Sequence, residues 1–325
     1  MSASTPGQLR VEVTRLRWRR AVLLLLVAAV VLPALLLAGT AWGSRPMSEA
    51  EVDSLLSDRY AQREVTRCER RPEAYLEIGT DDAGACREVI AGWYGGRQPL
   101  SLQNELDDGL LAASTLVLLL LVLAGTTFVG HDWNTGSMSN QLLFEPRRGR
   151  VWATKAAALV LVAGLLGTAV LAAYWAGLQG LAASRDLPVP DGVVRDGFEQ
   201  VLRTGALSAA AALAGYALTM LFRSTVATVG VLFALAVASG AVLGIVGQSS
   251  ARWTPPLNVL AVVQDGASYY DESSVPPECF TGRGGGPECD GERTISAADG
   301  GLYLGTGLLV VVAASVVSFR RRDVP

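Results

Sequence analysis

Residues 109–130, GLLAASTLVLLLLVLAGTTFVG, decide the fold class of this chain. This stretch carries no Asp, Glu, Lys or Arg, and a charge-free apolar run of about 20 residues crosses the hydrocarbon core of a bilayer as one helix. Further runs of this kind lie at 21–42, 156–183, 204–222, 224–248 and 300–319. Apolar residues pooled in such blocks are not typical of a soluble α/β protein, which spaces them at a period of 2 or 3.6. The sequence therefore predicts an all-α polytopic membrane protein with six transmembrane helices.

The distribution of basic residues predicts how these helices are oriented. If both termini are cytoplasmic, the inner segments are 1–20, 131–155, residue 223 and 320–325, and they hold 13 of the 27 basic residues. Of the 30 acidic residues, these segments hold only Glu12, Asp132, Glu145 and Asp323. Arg and Lys in short loops retain those loops in the cytoplasm. An even number of spans then places both termini on that side.

The N-terminal segment is expected to stay attached to the protein. Arg15, Arg17, Arg19 and Arg20 precede the first apolar run as in a signal peptide, but the run is too long and has no clear cleavage site. Within 1–20, Leu9, Val13 and Leu16 share one helical face, which predicts a helix lying on the inner leaflet. A disordered basic tail is the alternative. Arginine outnumbers lysine 26 to 1, which indicates a GC-rich bacterial genome and hence a bacterial plasma membrane.

Cysteine usage supports the same sidedness. The outer segments are predicted to be a subdomain at 43–108, a loop at 184–203 and a re-entrant or loop region at 249–299. All four cysteines, Cys68, Cys86, Cys279 and Cys289, fall in these segments. That confinement fits disulfides in an oxidising compartment. Three connectivities exist, of which Cys68–Cys86 with Cys279–Cys289 is the simplest, and four unpaired thiols are the alternative.

Three local patterns refine this picture. Residues 48–51, SEAE, read as a capping box that opens a helix in the first outer segment. Residues 253–263 contain an apolar stretch too short to span, which favours a re-entrant or interfacial turn. Small residues at four-residue spacing predict close helix packing or a dimer face. They occur at Ala206/Ala210/Ala214, Ala236/Gly240/Gly244 and Gly301/Gly305.

The inner segment 131–155, HDWNTGSMSNQLLFEPRRGRVWATK, has features that an ordinary positive-inside loop does not need. Leu142, Leu143 and Phe144 can belong to a short, partly apolar helix. Pro146 disfavours the helical conformation at Glu145 and so ends that helix. A basic cluster follows at Arg147, Arg148 and Arg150. A surface helix with this apolar and basic end is suited to contact a soluble partner.

This segment resembles the linker between the second and third spans of ABC-2-type permeases, the membrane subunits of one class of ATP-binding-cassette transporters. In that family an acid, a glycine four positions later, two aliphatic residues, Pro-x-Arg and a Lys form the region that meets the nucleotide-binding subunit. The family more often has Glu where this chain has Asp132. The coupling residues implied here, with the adjacent Glu145 and arginines, are Asp132, Gly136, Leu142, Leu143, Glu145, Pro146, Arg147, Arg148, Arg150 and Lys155. Six spans and a basic lead-in helix also agree with the family.

The resemblance implies a transporter subunit without enzymatic activity of its own, and export as the family's usual direction. The chain has no GxxxxGK[S/T] sequence and hence no phosphate loop. ATP and Mg²⁺ would therefore bind to a cytoplasmic ATPase partner, with no cofactor on this chain. Two permeases, identical or different, would form the path through the lipid bilayer.

Other function classes have weaker support in the sequence. An ion-coupled secondary transporter usually carries ionisable residues within its spans, and the six apolar runs contain none. His131 is the single histidine, which removes most histidine-based catalytic and metal sites. Nucleic-acid binding is not expected, since the basic residues cluster at the predicted inner membrane edge. A membrane-anchored sensor or envelope assembly factor acting through the cysteine-bearing loops is the main alternative.

Overall fold

The computed structural model describes residues 5–75, 85–97, 100–277, 279 and 289–322. The ends of the predicted N-terminal segment and C-terminal tail, 1–4 and 323–325, therefore lie outside the described residues. Six helices are long and apolar enough to cross a membrane, which confirms the predicted multi-pass helical architecture. They are α2 (Arg20–Gly43), a helix over Leu102–Asn134 that ends in α7 (Leu110–Asn134), α9 (Arg148–Ala183), α10 (Val193–Phe222), α11 (Thr225–Val246) and α13 (Ala297–Arg321).

Several of these helices extend well beyond the apolar runs. The second span begins with a short α6 (Leu102–Asn104) and a π-helical turn (Glu105–Gly109), so it includes acidic residues before the apolar run. At 1.5 Å per residue, the 36 residues of α9 measure about 54 Å, against about 30 Å of hydrocarbon. The surplus length lets charged helix turns project past the apolar slab. Asp132 and Lys155 are thereby helical, although both lie outside the predicted spans.

The tightest packing is made by α10 against α7 and α9. A Cβ atom at Gly125 of α7 would lie 2.2 Å from the Ala212 carbonyl oxygen, and one at Gly215 of α10 would lie 2.3 Å from the Val122 carbonyl oxygen. Only glycine fits at such a backbone contact, which is the way small residues bring helices together in lipid. These two glycines belong to none of the small-residue series picked out in the sequence. Around Gly240, Gly244 and Gly305 of those series, an added Cβ would meet no described atom within 4 Å.

Helices α11 and α13 lie at the periphery of the bundle. Large apolar side chains of α11, such as Val226, Phe233 and Ile245, are mostly exposed, as are Leu302 and Leu309 of α13. Exposed apolar surface is costly in water, but it is the normal surface of a helix in contact with lipid. These faces agree with a chain embedded in a membrane.

The first of the predicted outer segments folds into a small helical subdomain, which we call the disulfide subdomain. It contains α3 (Glu49–Leu55), α4 (Arg59–Arg70) and α5 (Ala85–Gly95). Its buried core includes Val52, Ile90 and the bonded pair Cys68–Cys86, and is separate from the core of the bundle. The predicted capping box is present, with Ser48 and Glu51 exchanging hydrogen bonds at the start of α3.

The region between α11 and α13 differs from the predicted all-α fold. It contains a short helix, α12 (Pro255–Val263), and a two-stranded antiparallel sheet of β1 (Gly266–Tyr270) and β2 (Glu292–Ser296). Ala267 and Ile295, which are paired across the sheet, pack on Ala261 of α12 and form a third small core. Cys279 is bonded to Cys289 in the connection between the strands. Both disulfides thus follow the within-loop pairing.

Candidate functional site

A buried lysine lies where α1 (Thr5–Trp18), α7 and α9 meet, at the end of the bundle that carries most of the predicted inner segments. We call this end of the molecule the basic end. Lys155 Nζ donates to Glu12 Oε2 at 2.9 Å and to Asp132 Oδ2 at 2.8 Å. All three side chains are at most 2% exposed. A cation is thus enclosed between two carboxylates that come from different helices.

The second oxygen of Asp132 is also occupied. Arg19, just before α2, donates to Asp132 Oδ1 through Nη2 and to the Phe128 carbonyl oxygen through Nη1. Ser137, the first residue of α8 (Ser137–Phe144), donates its hydroxyl to the same Oδ1. Both the Arg19 guanidinium and Lys155 Nζ lie over the Phe128 ring, at 4.9 and 5.4 Å from its centroid. Asp132 therefore joins α2, α8 and α9 to its own helix.

Glu12 connects the same cluster to α8. Its Oε1 accepts from Gln141 Nε2 at 2.8 Å and from Arg15 Nη1 at 3.1 Å, and Arg15 also donates to Gln141 Oε1 at 3.0 Å. We call Glu12, Arg19, Asp132 and Lys155, together with Arg15, Ser137 and Gln141, the buried ion network. It fixes five helices, α1, α2, α7, α8 and α9, at one point.

The energetic consequence follows from the burial of these charges. Removing one partner of a buried ion pair leaves an uncompensated charge and costs about 3–5 kcal/mol. Removal of the Lys155 charge should destabilise the network most, since this one cation pairs with two buried carboxylates. The network therefore holds the segment 131–155 in a fixed position relative to the spans.

Helix α8 presents a hydrophobic tip away from this network. Gly136 precedes it in a left-handed conformation, φ +69°, which favours glycine and lets the chain turn sharply between α7 and α8. Met138 is fully buried and Leu142 partly buried, so one side of α8 packs on the bundle. Leu143 and Phe144 are 80% and 91% exposed. Their exposure at the end of a short helix makes this tip the most accessible apolar feature of the basic end.

The turn after α8 is organised by Glu145. Its carboxylate accepts from Gln8 Nε2 of α1 at 3.0 Å and from Arg150 Nη1 of α9 at 3.5 Å, and the Arg147 backbone N–H donates to it at 3.4 Å. Desolvation raises the pKa of Glu145, but these hydrogen bonds and the Arg150 charge outweigh it, so the pKa is lowered overall. The carboxylate is thus held in its charged form and ties α1 to the start of α9 across the exposed Pro146.

The arginines after Pro146 differ in what they contact. Arg148 Nη1 donates to the carbonyl oxygens of Phe319 and Arg322, at 3.4 and 2.5 Å. These carbonyls belong to the end of α13, where helix carbonyls lack intrahelical partners. Arg147 is exposed, and its guanidinium forms no ion pair with a described residue. Arg148 thereby joins the segment 131–155 to the last span.

All ten residues predicted to couple to a partner lie at the basic end, in three settings. Asp132 and Lys155 are inside the buried ion network and expose no surface for a partner to touch directly. The exposed members are Gly136, Leu143, Pro146 and Arg147, and the partly buried ones are Leu142, Glu145, Arg148 and Arg150. Phe144, which the predicted coupling set omits, is the most exposed apolar side chain of the group.

The N-terminal segment forms the predicted helix, but the buried side of that helix differs in part from the predicted apolar face. Residues Thr5–Trp18 are helical. Of the predicted apolar face, Leu16 is buried, Leu9 is partly buried and Val13 is exposed, while Glu12, outside that face, is buried. The helix packs against α9 and α2. The side that faces them is fixed by the ion pair between Glu12 and Lys155 as well as by apolar contacts. A signal was present in the sequence, since Glu12 is the single acid within the basic stretch 1–20.

The chemistry available at the basic end is that of charge pairing and apolar contact. Within the described residues no group of three or more His, Cys, Asp or Glu side chains is placed to hold a metal ion. A cavity of about 130 Å³ opens beside Glu12 and Gln141, between α1 and the segment 131–155. No protein-family model, curated protein or solved structure matches this chain.

Proposed function

We propose that this chain is the permease subunit of an ABC-2-type transporter in a bacterial plasma membrane, with both termini in the cytoplasm. The observation that carries the proposal is that, at the basic end, an exposed contact surface is rigidly connected to the membrane spans. An exposed apolar tip, Leu143 and Phe144, stands on a segment that the buried ion network ties to the spans. A permease that receives work from a soluble ATPase needs such a contact and such a rigid connection behind it.

The proposed mechanism begins at this tip. A cytoplasmic ATPase partner binds ATP and Mg²⁺, since this chain has no phosphate loop. Movement of that partner displaces α8, and Ser137 and Gln141 pass the displacement to Asp132 and Glu12. Through Lys155 and Arg19 it then reaches α9 and α2. Arg148 carries the same displacement to the end of α13.

A second permease, identical or different, would complete the path through the membrane. The peripheral helices α11 and α13 leave apolar faces uncovered for such a neighbour or for lipid. Export is the direction we propose, from the resemblance to the family.

Co-purification from the native membrane tests this proposal. Replacing Leu143 and Phe144 by serine should release a cassette ATPase that accompanies the wild-type chain, because the substitution removes the exposed apolar contact and no buried group. The matched control is Tyr60→Ser with Val189→Ser, two exposed apolar side chains in predicted outer segments. If no ATPase accompanies the wild-type chain, the proposal is wrong.

A second candidate function is supported by the disulfide subdomain. Its core is separate from that of the bundle, and Tyr60, Trp93 and Tyr94 remain substantially exposed on it. A sensor or envelope assembly factor would use such a surface to bind a ligand or another envelope protein. Replacing Tyr60 and Tyr94 by serine should then abolish function while the ATPase, if present, still co-purifies. Full function in that variant would remove this candidate.

A further inference from the structure

A basic cavity lies beside the turn that follows α8. It has a volume of about 590 Å³ and is lined by Pro146, Arg147, Arg148, Gly149, Arg150 and Arg320. Four of the six lining residues are arginines, drawn from the start of α9 and the end of α13. Both of these helices are membrane spans, so the cavity lies at the membrane edge of the basic end.

The charge of this cavity is only partly compensated. Glu145 pairs with Arg150 at 3.5 Å and is the one carboxylate among the described residues in an ion pair with a lining arginine. Four guanidinium groups against this carboxylate leave a net charge of three positive. Neither Arg147 nor Arg320 forms a salt bridge with a described residue.

The backbone around the cavity favours an anion as well. The N-terminal turn of α9 lines it through Arg148, Gly149 and Arg150. The start of a helix carries partial positive charge, which attracts phosphate and other anions. The backbone N–H groups of Arg148 and Arg150 already donate to the Pro146 and Arg147 carbonyl oxygens, at 2.9 Å each, so the attraction here comes from the helix dipole and the guanidinium groups. The opposite, negative end of α13 is covered, since Arg148 Nη1 donates to two of its terminal carbonyls. Within the described residues the hydrogen bonds of Arg148 involve Nη1 alone, so its Nε and Nη2 have no partner there.

We propose that this cavity binds a phosphate group at the membrane surface. Guanidinium groups match phosphate oxygens in geometry and bind them through paired N–H donors. Basic pockets between spans on the inner side of a membrane are suited to anionic lipid headgroups. The phosphate is carried either by an anionic phospholipid or by a soluble phosphate compound. This inference does not depend on the proposed transporter function.

Native mass spectrometry of the purified full-length chain tests the proposal. The probes are phosphatidylglycerol and phosphatidylcholine with the same acyl chains, each with and without millimolar inorganic phosphate. Arg147→Gln with Arg320→Gln removes two lining charges that hold no described carboxylate. Arg321→Gln with Arg322→Gln is the matched control, because it removes two neighbouring exposed charges that do not line the cavity.

We expect the lining variant to lose phosphatidylglycerol affinity by about thirtyfold, which corresponds to about 1 kcal/mol for each of the two basic residues removed. The control should change this affinity less than about twofold, and phosphatidylcholine should bind weakly throughout. Displacement of the lipid by inorganic phosphate from the wild-type chain would identify a soluble phosphate as the source, and resistance to it would identify the lipid headgroup. Equal losses in both variants, no loss in either, or equal binding of the two lipids would overturn the proposal. Unchanged circular dichroism in each variant excludes unfolding as the cause of a loss.

Discussion

The buried ion network and the disulfide subdomain contain the same kinds of charged residue and use them in opposite ways. In the network, Glu12, Asp132 and Lys155 are enclosed and each charge has a partner from another helix. In the subdomain, the pair Asp53–Arg87 leaves 69% and 52% of its side chains exposed, and a disulfide lies in the core instead. Charges determine the position of a helix only where water cannot replace the partner. The basic end is therefore positioned by buried charge pairs as well as by apolar packing, while the subdomain depends on its covalent bond and small apolar core.

The largest effect is expected from Lys155→Met. This substitution leaves Glu12 and Asp132 buried without their shared cation and should lower the free energy of unfolding by about 3–5 kcal/mol. Denaturant unfolding in mixed micelles measures it. The variant Glu12→Gln with Asp132→Asn and Lys155→Met removes all three charges and should recover part of the loss. A single Lys155→Met variant as stable as wild type would show that the network is not a structural element.

The next effect concerns the subdomain. Replacing Cys68 and Cys86 by alanine opens a loop with a sequence separation of 18 and should cost about 3 kcal/mol. Because the subdomain has its own core, the loss should be local. Hydrogen exchange should accelerate in α3, α4 and α5 while α7 and α10 keep their protection. Faster exchange in α10 would show that the two cores are coupled.

A smaller effect is expected on the stability of helix α3, and it should depend on pH. The backbone N–H of Ser48 and the Arg97 guanidinium lower the pKa of Glu51 below its ordinary value of 4.5. The folded pKa thus lies below the unfolded one, so Glu51 stabilises α3 above pH 4.5, and the contribution is lost as the pH falls through the folded value. Amide exchange of α3 should accelerate in that acid range for wild type. In Glu51→Gln the same acceleration should already be present at neutral pH and should not change further on acidification.

The smallest effect is expected for the exposed pair Asp53–Arg87. Arg87→Gln should change the free energy of unfolding of the subdomain by less than about 1 kcal/mol, and added salt should reduce that difference. Arg87→Gln removes the cation of an exposed ion pair, just as Lys155→Met removes the cation of a buried one. A cost comparable to that of Lys155→Met would remove the contrast between the two regions.

The features that the sequence predicts are those encoded by neighbouring residues. The six spans, the Ser48–Glu51 capping box and the membership of 131–155 in one polar segment all follow from local patterns. The buried ion network does not, since Glu12 and Lys155 are 143 residues apart and no local pattern indicates their pairing. The same reason explains the hairpin, whose strands are joined by a long connection, and the packing at Gly125 and Gly215. In so apolar a chain, spacing alone does not identify the glycine that faces another backbone.

The exposure of Phe144 to one side of the membrane tests the central claim most directly. The four native cysteines are paired, so a cysteine at this position is the free thiol to be labelled. In Phe144→Cys, a membrane-impermeant maleimide should label inverted membrane vesicles and leave intact cells unlabelled, because in the proposed orientation the tip faces the compartment that holds ATP. Labelling of intact cells would place the tip outside the cell, where no ATPase could act on it, and would contradict the account.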